Sequence, residues 1–280
     1  MKFPFGLDPA RLAILILAMV AAMALTTTMA CGDDDDDDDD DAVDDDTGDD
    51  DDDDDTMDDD TMDDDDDDDD TETADIRVLH GAPNAPNVDI FVNLARTDVG
   101  ALNDLPFGSG TPYLSLPADT YTFDVVPAGM ESEDSVFQVA DLPLEAGNSY
   151  TAAAIGLVGE QFTVIALVDD RDVDSGMAKV RAVHAGDGVG AVDIGVGSSF
   201  EVPLFADLEF GDASEYAEVP ADDYTLGVDV NNDGEADLTY DVSLSDGDIV
   251  TAFAVLDGED VNLLAYFEDG TTATIAANAK

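Results

Sequence analysis

The chain has 280 residues, and its 70 acidic side chains against 8 basic ones give a formal net charge of -62 at pH 7. A charge of this sign and size repels nucleic acid and anionic lipid headgroups and attracts cations, which excludes a nucleic-acid partner. The single cysteine, Cys31, excludes an intrachain disulfide, so any folded domain depends on its apolar core.

The first segment is typical of an export signal. A basic flank precedes an apolar run over residues 12–25, which is shorter than the ~20 residues of a comfortable membrane span. Residues 28–31, Thr-Met-Ala-Cys, resemble a lipobox, where a lipoprotein signal peptide is cleaved and the new N-terminal cysteine is acylated. We therefore predict lipid attachment through Cys31 to the bilayer of the cell membrane or outer membrane. The alternative is ordinary cleavage near Ala30, which would give a soluble secreted protein.

The next segment is dominated by aspartate, with only short interruptions. It cannot form an apolar core, and its adjacent like charges extend the chain, so we predict a disordered acidic stalk. The stalk serves either as a plain spacer or as a store of cations such as Ca²⁺, because its charge density approaches that of single-stranded nucleic acid. Acidic residues after a lipidated cysteine also resemble the surface-export signals of some bacterial lipoproteins. We therefore expect the protein to be exported and exposed at the cell surface.

The rest of the chain repeats itself at an offset near 100 residues. Residues 74–92 align with residues 178–196, and residues 105–122 align with residues 208–225. A period of this length indicates tandem domains rather than a solenoid. The predicted organisation is a signal peptide at 1–30, an acidic stalk at 31–73, a first module at 74–173 and a second module at 177–276.

The periodicity within each module is that of β-strands. Apolar side chains recur at every second position, as at Tyr121, Phe123 and Val125, and clusters of Pro, Gly, Asn and Asp interrupt the runs every ~8–12 residues. No long amphipathic helical pattern occurs. The sequence predicts an all-β protein with two tandem Ig-like antiparallel β-sandwich domains.

Three tyrosines have the spacing of tyrosine corners, in which the ring packs in the core and the hydroxyl bonds to backbone a few residues upstream. They are Tyr121, Tyr150 and Tyr224. We predict a structural role for all three.

Four segments of the first module resemble a known family. They are His-Gly-Ala-Pro-Asn-Ala-Pro-Asn-Val-Asp-Ile at 80–90, Leu-Pro-Phe-Gly at 105–108, Leu-Pro-Ala-x-x-Tyr at 116–121 and Leu-Glu-Ala-Gly-Asn-Ser-Tyr-Thr at 144–151. Together they resemble the bacterial family called domain of unknown function 4397, closely over the first module and more loosely over the second. The resemblance implies an exported, often lipid-anchored and often tandem protein, and it implies no chemistry.

The two histidines of the chain occupy equivalent places in the two modules. His80 and His184 could serve as ligands or bases together with Asp89 and Asp193, but no metalloprotease, nucleophile-elbow or paired-histidine spacing accompanies them. We therefore predict structural histidines, each at the end of a strand and hydrogen-bonded to its own loop.

One local motif suggests a metal. Side chains with oxygen atoms alternate along the segment, at Asp229, Asn231, Asp233, Glu235 and Asp237. This resembles the first nine positions of an EF-hand loop, so calcium is the one cofactor that the sequence suggests. The twelfth position, where a bidentate Glu is needed, is Tyr240, and the alternative is a plain hairpin turn.

These features favour a non-enzymatic, lipid-anchored protein of the cell envelope that serves display, adhesion or structure, because no catalytic motif stands out. Its expected partners are the bilayer, cations on the stalk and an unidentified extracellular protein or glycan. The alternative is a calcium- or small-ligand-binding extracellular module, and an enzyme comes third.

Overall fold

The computed structural model describes residues 72–97, 99–199 and 203–279, all of which belong to one compact unit. The predicted signal peptide, the lipidation site Cys31 and nearly all of the predicted stalk lie outside the described residues.

The first half of the described chain has eight strands and two short 3-10 turns, at Gly100–Leu102 and Ser132–Asp134. The strands are β1 (Thr73–Gly81), β2 (Val88–Val92), β3 (Ala95–Arg96), β4 (Leu114–Pro117), β5 (Asp119–Pro127), β6 (Phe137–Leu144), β7 (Ser149–Gly156) and β8 (Phe162–Asp169). They form two four-stranded sheets, with the orders β4-β1-β7-β8 and β3-β2-β5-β6. Strand β1 begins one residue inside the predicted stalk.

The second half repeats this arrangement and adds one strand. Its strands are β9 (Met177–His184), β10 (Val192–Val196), β11 (Phe205–Leu208), β12 (Ala217–Pro220), β13 (Asp223–Asp229), β14 (Leu238–Ser243), β15 (Ile249–Asp257), β16 (Asp260–Phe267) and β17 (Thr272–Ala276). The sheet orders are β12-β9-β15-β16-β17 and β11-β10-β13-β14. The prediction of an all-β sandwich fold is therefore confirmed.

Two strand pairs correct the prediction that the sheets are antiparallel throughout. Strand β1 runs parallel to β7, with Ile76 opposite Tyr150, and β9 runs parallel to β15, with Val180 opposite Val250. Five other strands separate the partners of each pair along the chain, so no hairpin fixes their relative direction. The remaining ladders between named strands are antiparallel.

Three apolar cores separate the four sheets. The first lies between the two sheets of the first half and includes Ile76, Val78, Ile90, Phe123 and Tyr150. The second lies between the two sheets of the second half and includes Ala182, Ile194, Val228, Tyr240 and Leu263. The third joins the two halves and includes Leu79, Ile155, Val183, Phe253 and Tyr266. The halves therefore share a core as well as a chain.

This shared core explains the burial of strand β1. Ile76 and Val78 face the core of the first half, whereas Arg77 and Leu79 point the other way and are equally buried. Alternation of apolar and polar residues along such a strand suggests that one of its faces is exposed to solvent. That face is instead covered by the sheet of the other half.

Candidate functional site at the junction of the two halves

Two arginines at equivalent positions of the halves lie beside one buried carboxylate. Arg77 is on β1, Arg181 is on β9, and Asp169 ends β8. Nη2 of Arg181 lies 2.5 Å from Oδ1 of Asp169, and Nε of Arg77 lies 3.7 Å from Oδ2. All three side chains are shielded from water. Asp169 of the first half thus pairs with one arginine from each half. Separating the halves would leave a buried charge without its partner, so Asp169 ties the two halves together.

The remaining contacts of the two guanidinium groups follow the repeat. Each donates to a threonine hydroxyl of its own half and to a backbone carbonyl of the other half: Arg77 to Thr151 (2.9 Å) and Phe267 (2.6 Å), and Arg181 to Thr251 (3.0 Å) and Val168 (2.9 Å). The carboxylate does not follow the repeat. Strand register makes Glu268 the counterpart of Asp169, and Glu268 pairs with Arg171 instead of entering the cluster.

Tyrosines surround the buried charges. Tyr113 donates to Asp169 at 2.7 Å and Tyr216 donates to the same carboxylate at 3.3 Å. The guanidinium carbon of Arg77 lies 4.8 Å from the Tyr113 ring centroid, and that of Arg181 lies 4.4 Å from the Tyr216 centroid. Burial raises the pKa of Tyr113, and the charge of Asp169 raises it further; burial also raises the pKa of Tyr216. Both hydroxyls therefore stay protonated and act as donors.

A polar cleft of about 460 Å³ opens beside this cluster. Its lining residues come from both halves: Asp75, Gly147, Asn148, Ser149, Asp169, Asp170, Arg171, Asp172 and Glu268. Arg171 bridges the halves across it, with 3.1 Å to Asp75 and 2.8 Å to Glu268, and stacks 4.3 Å from the Tyr113 ring centroid. Half-exposed carboxylates, a hydroxyl, an amide and one guanidinium offer a ligand both donors and acceptors.

The two histidines make matching contacts with their own loops. Nε2 of His80 lies 3.0 Å from the carbonyl oxygen of Pro86, and Nε2 of His184 lies 3.0 Å from that of Gly190. On the other side of each ring, Nδ1 accepts a backbone N–H two residues downstream. An Nδ1 acceptor and an Nε2 donor define the neutral ring, so each imidazole closes its loop. Burial lowers the pKa of His80, and the hydrogen bond to Pro86 opposes that shift.

The aspartates considered as partners of the histidines hold other loops instead. Asp89 accepts the backbone N–H groups of Asp104 at 2.7 Å and of Gly129 at 2.9 Å, and it pairs with Arg96. Burial opposes ionisation of Asp89, but these donors outweigh it and lower the pKa. Asp193 accepts the N–H of Asp207 at 2.8 Å. The hydrogen bonds of both carboxylates point to loop structure.

The segment suggested for calcium forms the connection between β13 and β14. Asp229 is buried and accepts three backbone N–H groups, from Asn231 (3.0 Å), Asn232 (2.6 Å) and Gly234 (2.7 Å). Burial raises the pKa of Asp229, yet these bonds outweigh it and the net shift is downward. The carboxylate therefore already has a full set of donors.

The other four residues of that segment also bond within the loop. Asp237 accepts from Asn231 Nδ2 at 3.1 Å, and Asp233 accepts the N–H of Glu235 at 2.9 Å. Among the described residues, His, Asp and Glu side chains do not gather in groups of three or more that could hold a metal ion. Calcium binding by this loop stays a prediction.

The three tyrosines singled out by spacing bond to backbone upstream of themselves. The hydroxyl groups of Tyr121 and Tyr224 donate to the carbonyls of Pro117 (2.9 Å) and Pro220 (2.7 Å), and that of Tyr150 accepts the N–H of Glu145 (3.1 Å). Each tyrosine thereby fixes the start of its strand to the segment just before it, which is the end of β4 for Tyr121 and of β12 for Tyr224.

Sequence reasoning missed the charged cluster between the halves. A signal was available, because a chain with only eight basic residues places Arg77 and Arg181 at the same register of both repeats. Each is flanked by apolar residues in its strand. A single arginine there would be unremarkable, but a repeated one indicates a shared role. The partner Asp169 has no such signal in a chain with 70 acidic residues.

Comparisons with known proteins give a family match and a distant likeness to solved structures. Residues 74–195 match the family model described as "Domain of unknown function (DUF4397)", a range that runs from β1 into β10. A comparison with curated proteins finds no match. A solved structure described as "Alpha-glucan binding by a streptococcal virulence factor" is 11% identical, covers 67% of this chain and 95% of its own, and has a TM-score of 0.22. At that TM-score the likeness carries no argument.

Proposed function

Since residues 74–195 of this chain belong to the DUF4397 family, whose description assigns no activity, we propose a function from the geometry of the chain itself. The protein is a non-enzymatic, lipid-anchored surface protein that presents a rigid pair of β-sandwiches for adhesion to an extracellular glycan or protein. The anchor is the acylated Cys31, and the acidic segment that follows acts as the spacer.

The observation that carries this proposal is the shared core with its buried ion pair. Two domains joined only by a linker move relative to each other by default. Here an apolar layer that includes Leu79 and Phe253, together with Asp169 between Arg77 and Arg181, supports one rigid body. Loops and clefts held at fixed distances suit a protein whose task is to present a surface.

The polar cleft at the junction is the proposed contact surface. The first half supplies most of its lining and the second half closes it with Glu268, and Arg171 with Asp75 and Glu268 supplies paired donors and acceptors at its rim. Sugar hydroxyls both donate and accept hydrogen bonds, so a neutral glycan suits this surface. The strongly negative charge of the chain disfavours an acidic polysaccharide.

The proposal on adhesion is tested by affinity electrophoresis of the purified protein in gels that contain neutral polysaccharides, such as starch, dextran or a soluble β-glucan. We expect retardation by at least one of them and its loss in Arg171→Ala. Arg96→Ala serves as the matched control, because Arg96 pairs with Asp89 away from the cleft. Equal migration of wild type and Arg171→Ala in every gel contradicts a glycan contact at the cleft.

The proposal on anchoring is tested in cells that express the full chain. We expect Cys31→Ser to release the protein into the medium, and we expect external protease to remove the wild-type protein from intact cells. Unchanged membrane retention of Cys31→Ser contradicts the lipid anchor. Protection of the wild type from protease in intact cells contradicts surface exposure.

A further inference from the structure

The second half contains a cavity between its two sheets. It measures about 100 Å³, whereas a cavity between the sheets of the first half measures about 30 Å³. Its walls include Val180, Val219 and Val250 from one sheet and Ile194, Leu226 and Val242 from the other. The halves share the order of eight strands, and the second half adds β17, whose Ile275 also lines the larger cavity.

Two aromatic residues of the first half are replaced by smaller residues at equivalent positions of the cavity walls. Phe123 lies opposite Val92 in the first half, and Leu226 lies opposite Val196 in the second. In the parallel pairs Tyr150 likewise corresponds to Val250. The second half has smaller side chains at these two positions. Phe267 stands where the first half has Val168 and lines the cavity, but it does not fill the space that they leave.

Two side chains in the walls of the cavity carry a hydroxyl group, and both hydroxyls already donate a hydrogen bond within the protein. Tyr224 donates its hydroxyl to Pro220 at 2.7 Å, and Ser243 donates its hydroxyl to Asp223. The other side chains of the walls are apolar, apart from Arg181, whose guanidinium bonds to Asp169 through Nη2 while its buried Nε has no partner among the described residues. A water molecule needs two or more polar partners to occupy a cavity, so this one favours an apolar occupant.

The cavity also has a route to solvent. Val196 and Leu204 belong to its lining, and they are 50% and 37% exposed. The space therefore extends to the edge of the sandwich, where these two side chains contact solvent. Exposed apolar side chains at the edge of an apolar cavity are the arrangement expected where a ligand enters.

We propose that this cavity binds a compact apolar group, an aromatic ring or the branched end of an aliphatic chain. Dry apolar cavities of about 150 Å³ bind benzene or xenon, and the space here is somewhat smaller and open at one side. The site is distinct from the polar cleft, and its existence does not depend on the proposed adhesive function.

The test uses the purified full-length protein, with xenon under pressure and benzene as probes and with methyl chemical shifts read by NMR. We expect both probes to shift the methyl signals of Leu226, Val250 and Leu263, and we expect benzene to raise the unfolding temperature. Signals of Leu79 and Ile155, between the two halves, should stay unchanged.

Two variants place the larger residue of the first half at the equivalent position of the second half, in order to fill the cavity. Leu226→Phe introduces the residue present at position 123, and Ala182→Val introduces the one present at position 78. We expect each to weaken probe binding at least tenfold, whereas Met130→Phe, on an exposed turn, should bind as the wild type does. Undiminished binding in a folded filling variant overturns the proposal. So does the absence of methyl shifts at the cavity in the wild type, which decides the question even if both variants fail to fold.

Discussion

Arg181 of the second half donates to Asp169 of the first half at 2.5 Å, in a place that water does not reach. Arg77 approaches the same carboxylate from its own half. One acidic group therefore serves two cations, and the apolar layer around them makes the repeated halves a single body.

Loss of the shared carboxylate should be costly. We expect Asp169→Asn to lower the free energy of unfolding by about 3–5 kcal/mol, because two buried guanidinium groups would lose their counterion. Chemical denaturation with urea measures the change. The neighbouring Asp170→Asn is the control and should cost less, because Asp170 is 59% exposed and its buried partner Lys179 keeps a second carboxylate, Glu218, at 3.3 Å. Similar losses in the two variants would show that Asp169 does not act as an interior counterion.

A methyl group at Gly110 should loosen the contact between the halves. A Cβ there would lie 2.3 Å from Cε2 of Tyr266, whose hydroxyl donates to the carbonyl of Thr111 at 2.6 Å and lies 3.0 Å from that of Val78. We expect Gly110→Ala to cost about 1–3 kcal/mol through overpacking, which thermal unfolding should detect. Gly100→Ala meets no atom within 4 Å and should leave the unfolding temperature nearly unchanged. Equal behaviour of the two variants would mean that the Tyr266 ring moves aside freely.

His80 should make stability depend on pH near neutrality. Burial lowers its pKa below the ordinary value of 6.5, so the unfolded chain binds a proton before the folded protein does. The neutral His80 side chain therefore contributes fully to the free energy of unfolding above pH 6.5. This contribution declines as the pH falls below that value. We expect unfolding temperatures measured between pH 7.5 and 5 to fall more steeply in the wild type than in His80→Gln. Parallel profiles would show that His80 does not titrate differently in the two states.

The aspartate loop gives a test that separates structure from calcium. Because Asp229 accepts three backbone N–H groups, we expect Asp229→Ala to lower the unfolding temperature to the same extent with Ca²⁺ or Mg²⁺ present at matched ionic strength. A stabilisation of the wild type by Ca²⁺ alone, absent from the variant, would instead support the calcium prediction. The lowered pKa of Asp229 means that this loop should weaken only as the pH falls towards and below 3.8.

The class of fold follows from patterns within short segments. Alternation such as that of Tyr121, Phe123 and Val125, with turn residues between runs, is enough to predict strands, and an offset near 100 residues is enough to predict a repeat. The place of His80 and His184 at the end of a strand likewise suggests a bond to the following loop, and Nε2 of each ring lies 3.0 Å from a carbonyl oxygen of its own loop.

The joining of the halves depends on contacts between distant parts of the chain. Arg77 reads as a surface residue unless its partner Asp169 is known, and nothing local links the two. The consecutive apolar residues Val78 and Leu79 did carry a hint, since burial on both faces produces runs without alternation. The parallel pairing of β1 with β7 likewise has no local signature, because no turn connects these strands.

The buried cluster also bears on how such a repeat can diverge. The halves meet through the same face, as subunits of a two-fold dimer do, and in a true homodimer every substitution would appear twice. A chain that carries both copies is free of that constraint, because the two copies can differ at equivalent positions. Asp169 lies in the buried cluster, whereas its counterpart Glu268 lies at the surface and pairs with Arg171. Fusion of the copies thus permits an odd number of charges at the axis, an arrangement that identical subunits could reach only by breaking their symmetry.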